Sequence, residues 1–331
     1  MIHTSSEKSI SKPRLAGSVL KTIGETPLVH LSRISKCANI SAYGKMEMMN
    51  PGGSIKDRTA LAIIERGLAD GNITAETTIV ESSSGNMAIG LAQACLYYNL
   101  PLIIVVDPKA NLQTLKILKA YGAKLDEVKK PLKDGGFLGA RIKRVKELMA
   151  EQPNFFWTNQ YSNEANPEAH YQTMTEISNA LNDQVDYLFV ATSTCGTLMG
   201  CADYINENNL NTKLIAVDAV GSVTFGQTSE RRLIPGHGAG LPSQFLNKGV
   251  VDKVMHVNDR ECVKGCKLLL KKEGIMAGGS SGAVISAFLK IAPELREGSK
   301  AVVILCDRGE RYLETIYNPD WCEKNFNKQD L

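Results

Sequence analysis

The sequence lacks any apolar run long enough to cross a membrane, since the longest, such as residues 102–106, have only the length of a β-strand. The first eighteen residues are polar, carry Lys8, Lys12 and Arg14, and lack the apolar core of a secretion signal. We therefore expect a cytoplasmic protein in which residues 1–14 and 319–331 are flexible tails.

An excess of charge of one sign is also missing, because 38 Lys and Arg stand against 35 Asp and Glu and are dispersed along the chain. This balance excludes the basic patch of a nucleic-acid-binding or membrane-surface protein. The five histidines show no metal-ligand spacing, and eight cysteines in 331 residues do not indicate a disulfide framework. Cys262 and Cys266 lie one helical turn apart, but without further ligands nearby we interpret them as packing or surface thiols and expect no metal site.

Strand-like and helix-like segments alternate along most of the chain, and the strand-like segments are almost continuously apolar. This pattern is typical of buried parallel sheets covered by helices. The alternation is interrupted at 221–247, which we predict to be a long functional loop. The length favours two α/β domains, each of three layers with a mainly parallel sheet. We place the smaller domain at 45–159 and the larger at 15–44 plus 160–318.

A lysine lies directly after the strongest chain breaker of the sequence, Asn50-Pro51-Gly52-Gly53. A helix is predicted from residue 57, so Lys56 sits where the positive end of the helix dipole disfavours an ammonium group. A less basic lysine suits Schiff-base chemistry, in which the neutral amine is the nucleophile. The alternative is a surface lysine that opens a helix. The Gly-x-x-x-x-Gly-Lys spacing of a nucleotide-binding loop is absent.

Three further junctions between a strand and a helix are rich in small polar residues, at 81–87, 191–197 and 277–283. In open parallel sheets, binding sites form at such junctions. Hydroxyls and free helix N–H groups at 81–87 suit a carboxylate, and those at 191–197 suit a phosphate dianion. Helix capping alone explains any one of these segments. Four such junctions, one with a turn-held lysine, indicate a common site.

On these motifs and their order, the chain resembles the fold-type II pyridoxal-phosphate enzymes of the cysteine synthase and cystathionine β-synthase family, from about residue 18 to 312. The resemblance implies a tryptophan synthase β-like fold, with pyridoxal 5′-phosphate in the cleft between two domains, and a homodimer. It also implies that Lys56 forms the Schiff base with the cofactor and that Ser280 faces the pyridine nitrogen. The phosphate-binding loop would be Ser193, Thr194, Cys195, Gly196 and Thr197. The substrate carboxylate would be bound by Ser83, Ser84, Gly85, Asn86, Met87 and Gln160, with Asn86 also near the cofactor.

The reaction implied by the resemblance is β-replacement. A serine ester loses its β leaving group after Lys56 removes the Cα proton, and a nucleophile then adds to the resulting aminoacrylate at Cβ. A serine at the pyridine nitrogen, in place of an aspartate, implies a mostly unprotonated ring. Such a ring is a weaker electron sink, which suits elimination across Cα–Cβ.

Two loops depart from the pattern of cysteine synthases, which usually read Thr-Ser-Gly-Asn-Thr and Gly-Thr-Gly-Gly-Thr. The carboxylate loop here has Met87 at its last position, and the phosphate loop has Ser193 and Cys195 where glycines are usual. We interpret these changes as a pocket of altered shape and polarity. Neutral drift is the alternative.

An arginine falls beside the apolar stripe of the predicted helix 137–150. Leu138, Ile142, Val145 and Met149 define that stripe, and at about 100° per residue Arg141 lies next to it. A partly buried arginine needs an anionic partner. The partner is either a structural carboxylate or a phosphate or carboxylate of a substrate.

Within the family, the chain is most similar to the synthases of the 2,3-diaminopropionate pathway of siderophore and antibiotic biosynthesis, through its motifs at 134–137, 218–222 and 307–313. This implies that O-phospho-L-serine reacts with L-glutamate to give N-(2-amino-2-carboxyethyl)-L-glutamate and phosphate. Arg141, Tyr161 and Ser193 would then line the space for the phosphate or the incoming amino acid. Alternatives are a cysteine synthase using O-acetylserine or O-phosphoserine with sulfide, the same C–N chemistry with aspartate or another amine, and a catalytically silent binding scaffold.

Overall fold

The computed structural model describes residues 15–35 and 39–326, in which strands and helices alternate as predicted. The strands are β1 (Leu28–His30), β2 (Ser41–Lys45), β3 (Thr78–Ser82), β4 (Leu102–Val106), β5 (Lys124–Glu127), β6 (Phe155–Trp157), β7 (Tyr187–Ala191), β8 (Lys213–Ala219), β9 (Lys253–Val257) and β10 (Lys300–Ile304). The helices are α1 (Ser32–Ser35), α2 (Lys56–Ala69), α3 (Asn86–Tyr97), α4 (Leu112–Ala120), α5 (Gly136–Glu151), α6 (Ala165–Leu181), α7 (Gly196–Glu207), α8 (Asp259–Glu273), α9 (Gly279–Ile291) and α10 (Pro319–Asn325).

The strands form two sheets. The larger has the order β1-β2-β10-β7-β8-β9 and is parallel apart from β1, which pairs with β2 in the antiparallel sense. The smaller has the order β5-β4-β3-β6 and is parallel throughout. The predicted α/β class with mainly parallel sheets is confirmed. The apolar strands need helices on both faces, because successive side chains of a strand point to opposite sides.

Each sheet is the middle layer of three. In the smaller sheet, Ile79 and Ile104 pack with α2, α3 and α4, whereas Val80 and Val105 pack with α5 on the other face. The larger sheet is covered by α8 and α9 on one face and by α6 and α7 on the other. On the first of these faces, Phe189 meets Phe288 of α9 edge to face, with ring centroids 5.7 Å apart. Alternation along each strand thus builds two cores per sheet.

The expected domain division follows the membership of the sheets. All four strands of the smaller sheet lie between residues 45 and 159, and the strands of the larger sheet lie in the remainder or at its boundary. We retain the boundaries 45–159 and 15–44 plus 160–318 as a proposal. The predicted long loop at 221–247 contains no helix or strand, as expected.

The C-terminal segment differs from the expected tail. Pro319–Asn325 forms α10, whose Cys322 is buried, and Trp321 and Phe326 pack against the core of the larger sheet. Seven residues are too few to show the helical spacing of apolar residues, so this helix was not predicted from the sequence. The expected tail at 1–14 and the residues after 326 lie outside the described part of the chain. No helix of the described residues is long and apolar enough to span a membrane.

Candidate active site

The turn that precedes Lys56, called the lysine turn below, is stabilised by hydrogen bonds to side chains within it or next to it. Gly53 has φ +88°, a conformation that favours glycine. The Gly52 N–H donates to Asp57 Oδ2 at 2.6 Å, and Asn50 Nδ2 donates to the carbonyl of Ser54 at 3.2 Å. Lys56 is the first residue of α2, as the sequence predicted to within a residue. The turn therefore fixes where the Lys56 side chain leaves the backbone.

A buried ion network lies behind this turn. Arg58 makes a two-pronged contact with Glu47, at 2.7 and 2.9 Å, and another with Glu176, at 2.8 and 2.7 Å. Lys45 Nζ donates to Glu176 at 2.6 Å. Burial alone would raise the pKa of Glu176, but hydrogen bonds and charge from Arg58 and Lys45 outweigh it and lower the pKa to about 2. The network ties the lysine turn to β2 and α6.

The Lys56 amine is less basic than usual. Burial lowers its pKa to about 8, and the nearby thiols of Cys306 and Cys195 act weakly in the opposite direction. The sequence predicted correctly that the pKa of Lys56 is lowered. It attributed the shift to the positive end of the helix, whereas desolvation by burial is the main cause. A substantial fraction of Lys56 is neutral near pH 8, as a nucleophilic amine requires.

The four polar junctions meet in one cavity of about 290 Å³ at the carboxyl ends of strands from both sheets. Such ends are the expected place for a site in an open parallel sheet. The cavity is lined by every candidate residue taken from the sequence: Lys56, Ser83, Ser84, Gly85, Asn86, Met87, Arg141, Gln160, Tyr161, Ser193, Thr194, Cys195, Gly196, Thr197 and Ser280.

The segment 83–87 precedes and begins α3. Gly85 is the residue before the helix and Asn86 its first residue, so the free N–H groups of the helix start face the cavity with the serine hydroxyls. Arg141 Nη1 lies 3.4 Å from Ser84 Oγ. This arrangement can bind a carboxylate.

The segment 193–197 turns sharply into α7. Cys195 adopts a left-handed conformation, with φ 65°, just before the helix begins at Gly196. A Cβ on Gly196 would lie 2.2 Å from Asn166 Oδ1, so only glycine fits there. Asn166 Nδ2 in turn donates to Thr194 Oγ1 at 3.1 Å. The loop is thus packed tightly from behind, with its helix N–H groups directed at the cavity, as a phosphate site requires.

Ser280 lies in the first turn of α9, on the same side as Cys306, which follows β10. Burial raises the pKa of the Cys306 thiol to about 12, and both side chains line the cavity. Lys56 lines the same cavity. A neutral thiol therefore lines the same cavity as the lysine and the serine of the site. The sequence did not predict the presence of Cys306 there.

Arg141 has a structural partner as well as a face in the cavity. Its Nε lies 3.2 Å from Asp107 Oδ2, without the alignment of a hydrogen bond, so the contact is an ion pair only. Asp107 follows β4 directly and is 7% exposed. Of the two partners anticipated from the sequence, the structural carboxylate is present, and Nη1 remains turned towards Ser84 and the cavity.

Several residues of the site were not predicted from the sequence as site residues. Glu81 is buried and accepts hydrogen bonds from Thr158 Oγ1 at 2.5 Å and from the Ser82 backbone N–H at 2.6 Å. The bond from Thr158 helps to fix the segment that continues into Gln160 and Tyr161. Asp307 lines the cavity and Arg232 reaches it from the long loop. The sequence offered one signal for Asp307, namely a polar residue directly after a predicted strand. It offered no signal that would have identified Arg232.

Comparison with known proteins decides the family. The family described as pyridoxal-phosphate dependent enzyme matches residues 19–307. The chain belongs to this family. The N-(2-amino-2-carboxyethyl)-L-glutamate synthase of Ralstonia nicotianae is 44% identical over 308 residues, which are 93% of this chain and 91% of that protein.

Solved structures agree with this assignment. Isoform 3 of O-acetylserine sulfhydrylase from Entamoeba histolytica is similar with a TM-score of 0.88 and 33% identity over 95% of each chain. The O-acetylserine-dependent cystathionine β-synthase of Helicobacter pylori is similar with a TM-score of 0.85 and 32% identity, over 92% of this chain and 100% of that one. The resemblance drawn from the motifs is confirmed, and the cofactor is pyridoxal 5′-phosphate.

The cavity of this pyridoxal-phosphate-dependent enzyme fits that cofactor. It joins a lysine of lowered pKa, a tight helix-start loop suited to a phosphate dianion, and a hydroxyl at the opposite helix start for a ring nitrogen. The residues that would hold the cofactor are Lys56, Asn86, Ser280 and the loop of Ser193, Thr194, Cys195, Gly196 and Thr197. When bound, the cofactor supplies an electron sink for the carbon next to the substrate amine.

Proposed function

We propose that the protein catalyses a β-replacement in which O-phospho-L-serine and L-glutamate give N-(2-amino-2-carboxyethyl)-L-glutamate and phosphate, a precursor for 2,3-diaminopropionate-containing siderophores or antibiotics. One observation carries the proposal. Around Lys56, the cavity presents Arg141 and the hydroxyl of Ser193, where a glycine is usual, beside a separate carboxylate loop. Several anionic groups need such donors, whereas sulfide would need none. The name of the relative from Ralstonia nicotianae supports the same reaction.

The first substrate is bound through its carboxylate. Ser83, Ser84, Gly85, Asn86 and Met87 supply hydroxyl, amide and helix N–H donors from the start of α3. Gln160 supplies a further amide from the segment that Glu81 anchors. A substrate bound in this way would present its Cα proton to the cavity that Lys56 also lines.

Lys56 moves the proton. Near pH 8 a large part of its amine is neutral, so it can accept the Cα proton of the substrate. Burial favours the neutral form again before the next turnover. In the net reaction the bond between Cβ and the phosphate oxygen breaks, and a bond between Cβ and the amine of the second substrate forms.

Arg141, Tyr161 and Ser193 bind the phosphate leaving group or the incoming amino acid. Tyr161 and Ser193 both line the cavity, and burial raises the pKa of Tyr161, so the phenol stays neutral. Arg141 adds positive charge on the same side. A second amino acid brings two carboxylates, and these donors match that demand.

A cysteine synthase is the second candidate, because the similar solved structures include an O-acetylserine sulfhydrylase. It would join O-acetylserine or O-phosphoserine to sulfide. Aspartate or another amine in place of glutamate is a further variant of the proposed reaction. We also propose a homodimer, as the family resemblance implies, a cytoplasmic location, as expected from the polar N-terminal residues, and the two-domain division given above.

The proposal is tested with the purified holoenzyme. O-phosphoserine is added while cofactor absorbance and phosphate release are followed, and glutamate, aspartate or sulfide is then supplied separately with mass-spectrometric analysis of the product. We expect phosphate release and the C–N product with glutamate. Turnover with sulfide alone would show a cysteine synthase, and an unchanged cofactor absorbance with every ester would show a catalytically silent protein.

Arg141→Ala separates the two leaving groups. If Arg141 binds the phosphate, the variant loses its response to O-phosphoserine but still reacts with O-acetylserine. Since Arg141 also pairs with Asp107, the thermal stability of the variant is measured alongside. An equal loss with both esters would assign Arg141 a structural role only.

A further inference from the structure

A second arginine enters the cavity from the long loop between β8 and β9. Arg232 is oriented by the backbone, because its Nη1 donates to the carbonyl of Gly221 at 2.8 Å and to that of Ala239 at 2.9 Å. These two bonds use both N–H groups of Nη1. The guanidinium plane is therefore fixed without any acidic side chain.

The other edge of the Arg232 guanidinium is directed at the cavity. Nη2 lies 3.9 Å from the position a Cβ would take on Gly240, and that position is also 3.9 Å from Leu138 of α5. Arg232 lines the cavity together with Tyr161, and its charge works to lower the Tyr161 pKa that burial raises. Nε and Nη2 together form the fork that matches two oxygens of a carboxylate or a phosphate.

Arg232 and Arg141 differ in whether an acidic side chain of the protein pairs with the guanidinium group. Arg141 is paired with Asp107 at 3.2 Å. Within residues 15–35 and 39–326, no carboxylate pairs with Arg232, and its Nε and Nη2 groups donate no hydrogen bond. Asp307, an acid that also lines the cavity, is engaged by Asn86 and Tyr312. Nε and Nη2 of Arg232 are accessible to solvent in the cavity, so an anion can bind them without displacing a protein side chain.

We propose that Arg232 is a specificity-determining residue that binds an anionic oxygen group of a substrate through Nε and Nη2. The group is either the phosphoryl of the serine ester or the side-chain carboxylate of the amino-acid nucleophile. Its identity rests on the proposed function, whereas the anion site itself does not.

The first experiment measures binding without turnover. Inorganic phosphate and glutarate are titrated calorimetrically into the holoenzyme, in which the cofactor already fills its own phosphate loop. The variants are Arg232→Gln, Arg232→Lys and, as a matched control, Arg231→Gln, which removes an adjacent exposed cation. We expect affinity for at least one of the two anions to fall about tenfold or more in Arg232→Gln. Arg232→Lys should retain part of it and Arg231→Gln nearly all.

The second experiment identifies the source of the anion. A loss of kcat/KM for O-phosphoserine but not for O-acetylserine assigns the phosphoryl group. A loss with glutamate but not with sulfide assigns the nucleophile's carboxylate. The proposal would be overturned if kcat/KM fell as much with O-acetylserine as with O-phosphoserine and as much with sulfide as with glutamate, since Arg232 would then only hold the loop. Unchanged binding of both phosphate and glutarate in Arg232→Gln would also overturn it. If the wild type forms no C–N product yet binds these anions through Arg232, the proposed function fails and the anion site stands.

Discussion

The side-chain amide of Asn86 donates a 2.8 Å hydrogen bond to Oδ2 of Asp307, 221 positions further along the chain. The same oxygen accepts a hydrogen bond from Tyr312 at 2.5 Å, and Arg311 donates to Oδ1 of Asn86. Burial raises the pKa of Asp307. The first residue of α3, beside the smaller sheet, is thus oriented by the segment that follows the last strand of the larger sheet.

Asp307→Asn should weaken substrate binding while the cofactor stays bound. The substitution removes the charged acceptor that orients Asn86, at a cost of about 1.5–3 kcal/mol for a hydrogen bond to a charged group. We expect the KM for the serine ester to rise roughly tenfold, measured by phosphate release. Tyr312→Phe is the control, because it removes one donor from Asp307 and leaves the Asn86 contact in place. Equal effects of both substitutions on KM would argue that Asp307 acts through the fold.

The pKa of Lys56 predicts how the apoenzyme takes up its cofactor. With a pKa of about 8, lowered mainly by burial, about half of the amine is neutral at pH 8 and nearly all of it about one pH unit higher. The rate of reconstitution with pyridoxal phosphate should therefore level off there, as measured by absorbance from pH 6 to 10. A rate that still climbs steeply between pH 9 and 10 would indicate an ordinary lysine. Lys56→Ala should show no covalently attached cofactor by mass spectrometry after borohydride reduction.

Gly196→Ala should impair the phosphate loop. Its new Cβ would fall 2.2 Å from Asn166 Oδ1, and Asn166 cannot move without breaking its 2.7 Å hydrogen bond to the Gln160 carbonyl. We expect cofactor affinity to fall at least tenfold, as read by equilibrium dialysis. In the other loop, a Cβ on Gly85 would meet nothing within 4 Å, so Gly85→Ala should keep the cofactor. Wild-type affinity in Gly196→Ala would refute the tight-cradle interpretation.

The buried ion network predicts a pH-dependent loss of stability. The pKa of Glu176 lies at about 2 in the folded protein against an ordinary 4.5. Its contribution is therefore fully present above pH 4.5 and disappears as the pH falls towards 2. Glu176→Gln leaves the buried charges of Arg58 and Lys45 without their partner, which should cost about 3–5 kcal/mol of unfolding free energy at pH 7 and less at pH 3.

Chemical denaturation at both pH values checks this. Glu168→Gln, on the same helix, breaks an exposed pair with Arg66 and should cost no more than about 1 kcal/mol. The network would have no special role if the two substitutions behaved alike. A loss for Glu176→Gln that does not shrink at low pH would contradict the assigned pKa.

Local chemistry was readable along the chain. Apolar strands alternating with helices could only be buried in parallel sheets, and Asn50-Pro51-Gly52-Gly53 had to break the chain before Lys56. The polar junctions at 83–87 and 193–197 were therefore placed at strand ends, and the structure brings all of them into one cavity. What the sequence determined by itself was this set of loops, because turn residues and apolar period act over a few neighbouring positions.

Only the tertiary structure decided which side chains face one another across the cavity. Asp107 pairs with Arg141, Asp307 orients Asn86, and Arg232 turns a free guanidinium edge towards the cavity. Burial, rather than the helix end, sets the basicity of Lys56. These relations depend on distances between residues far apart in the sequence and on the exclusion of water, and neither is encoded in any local pattern.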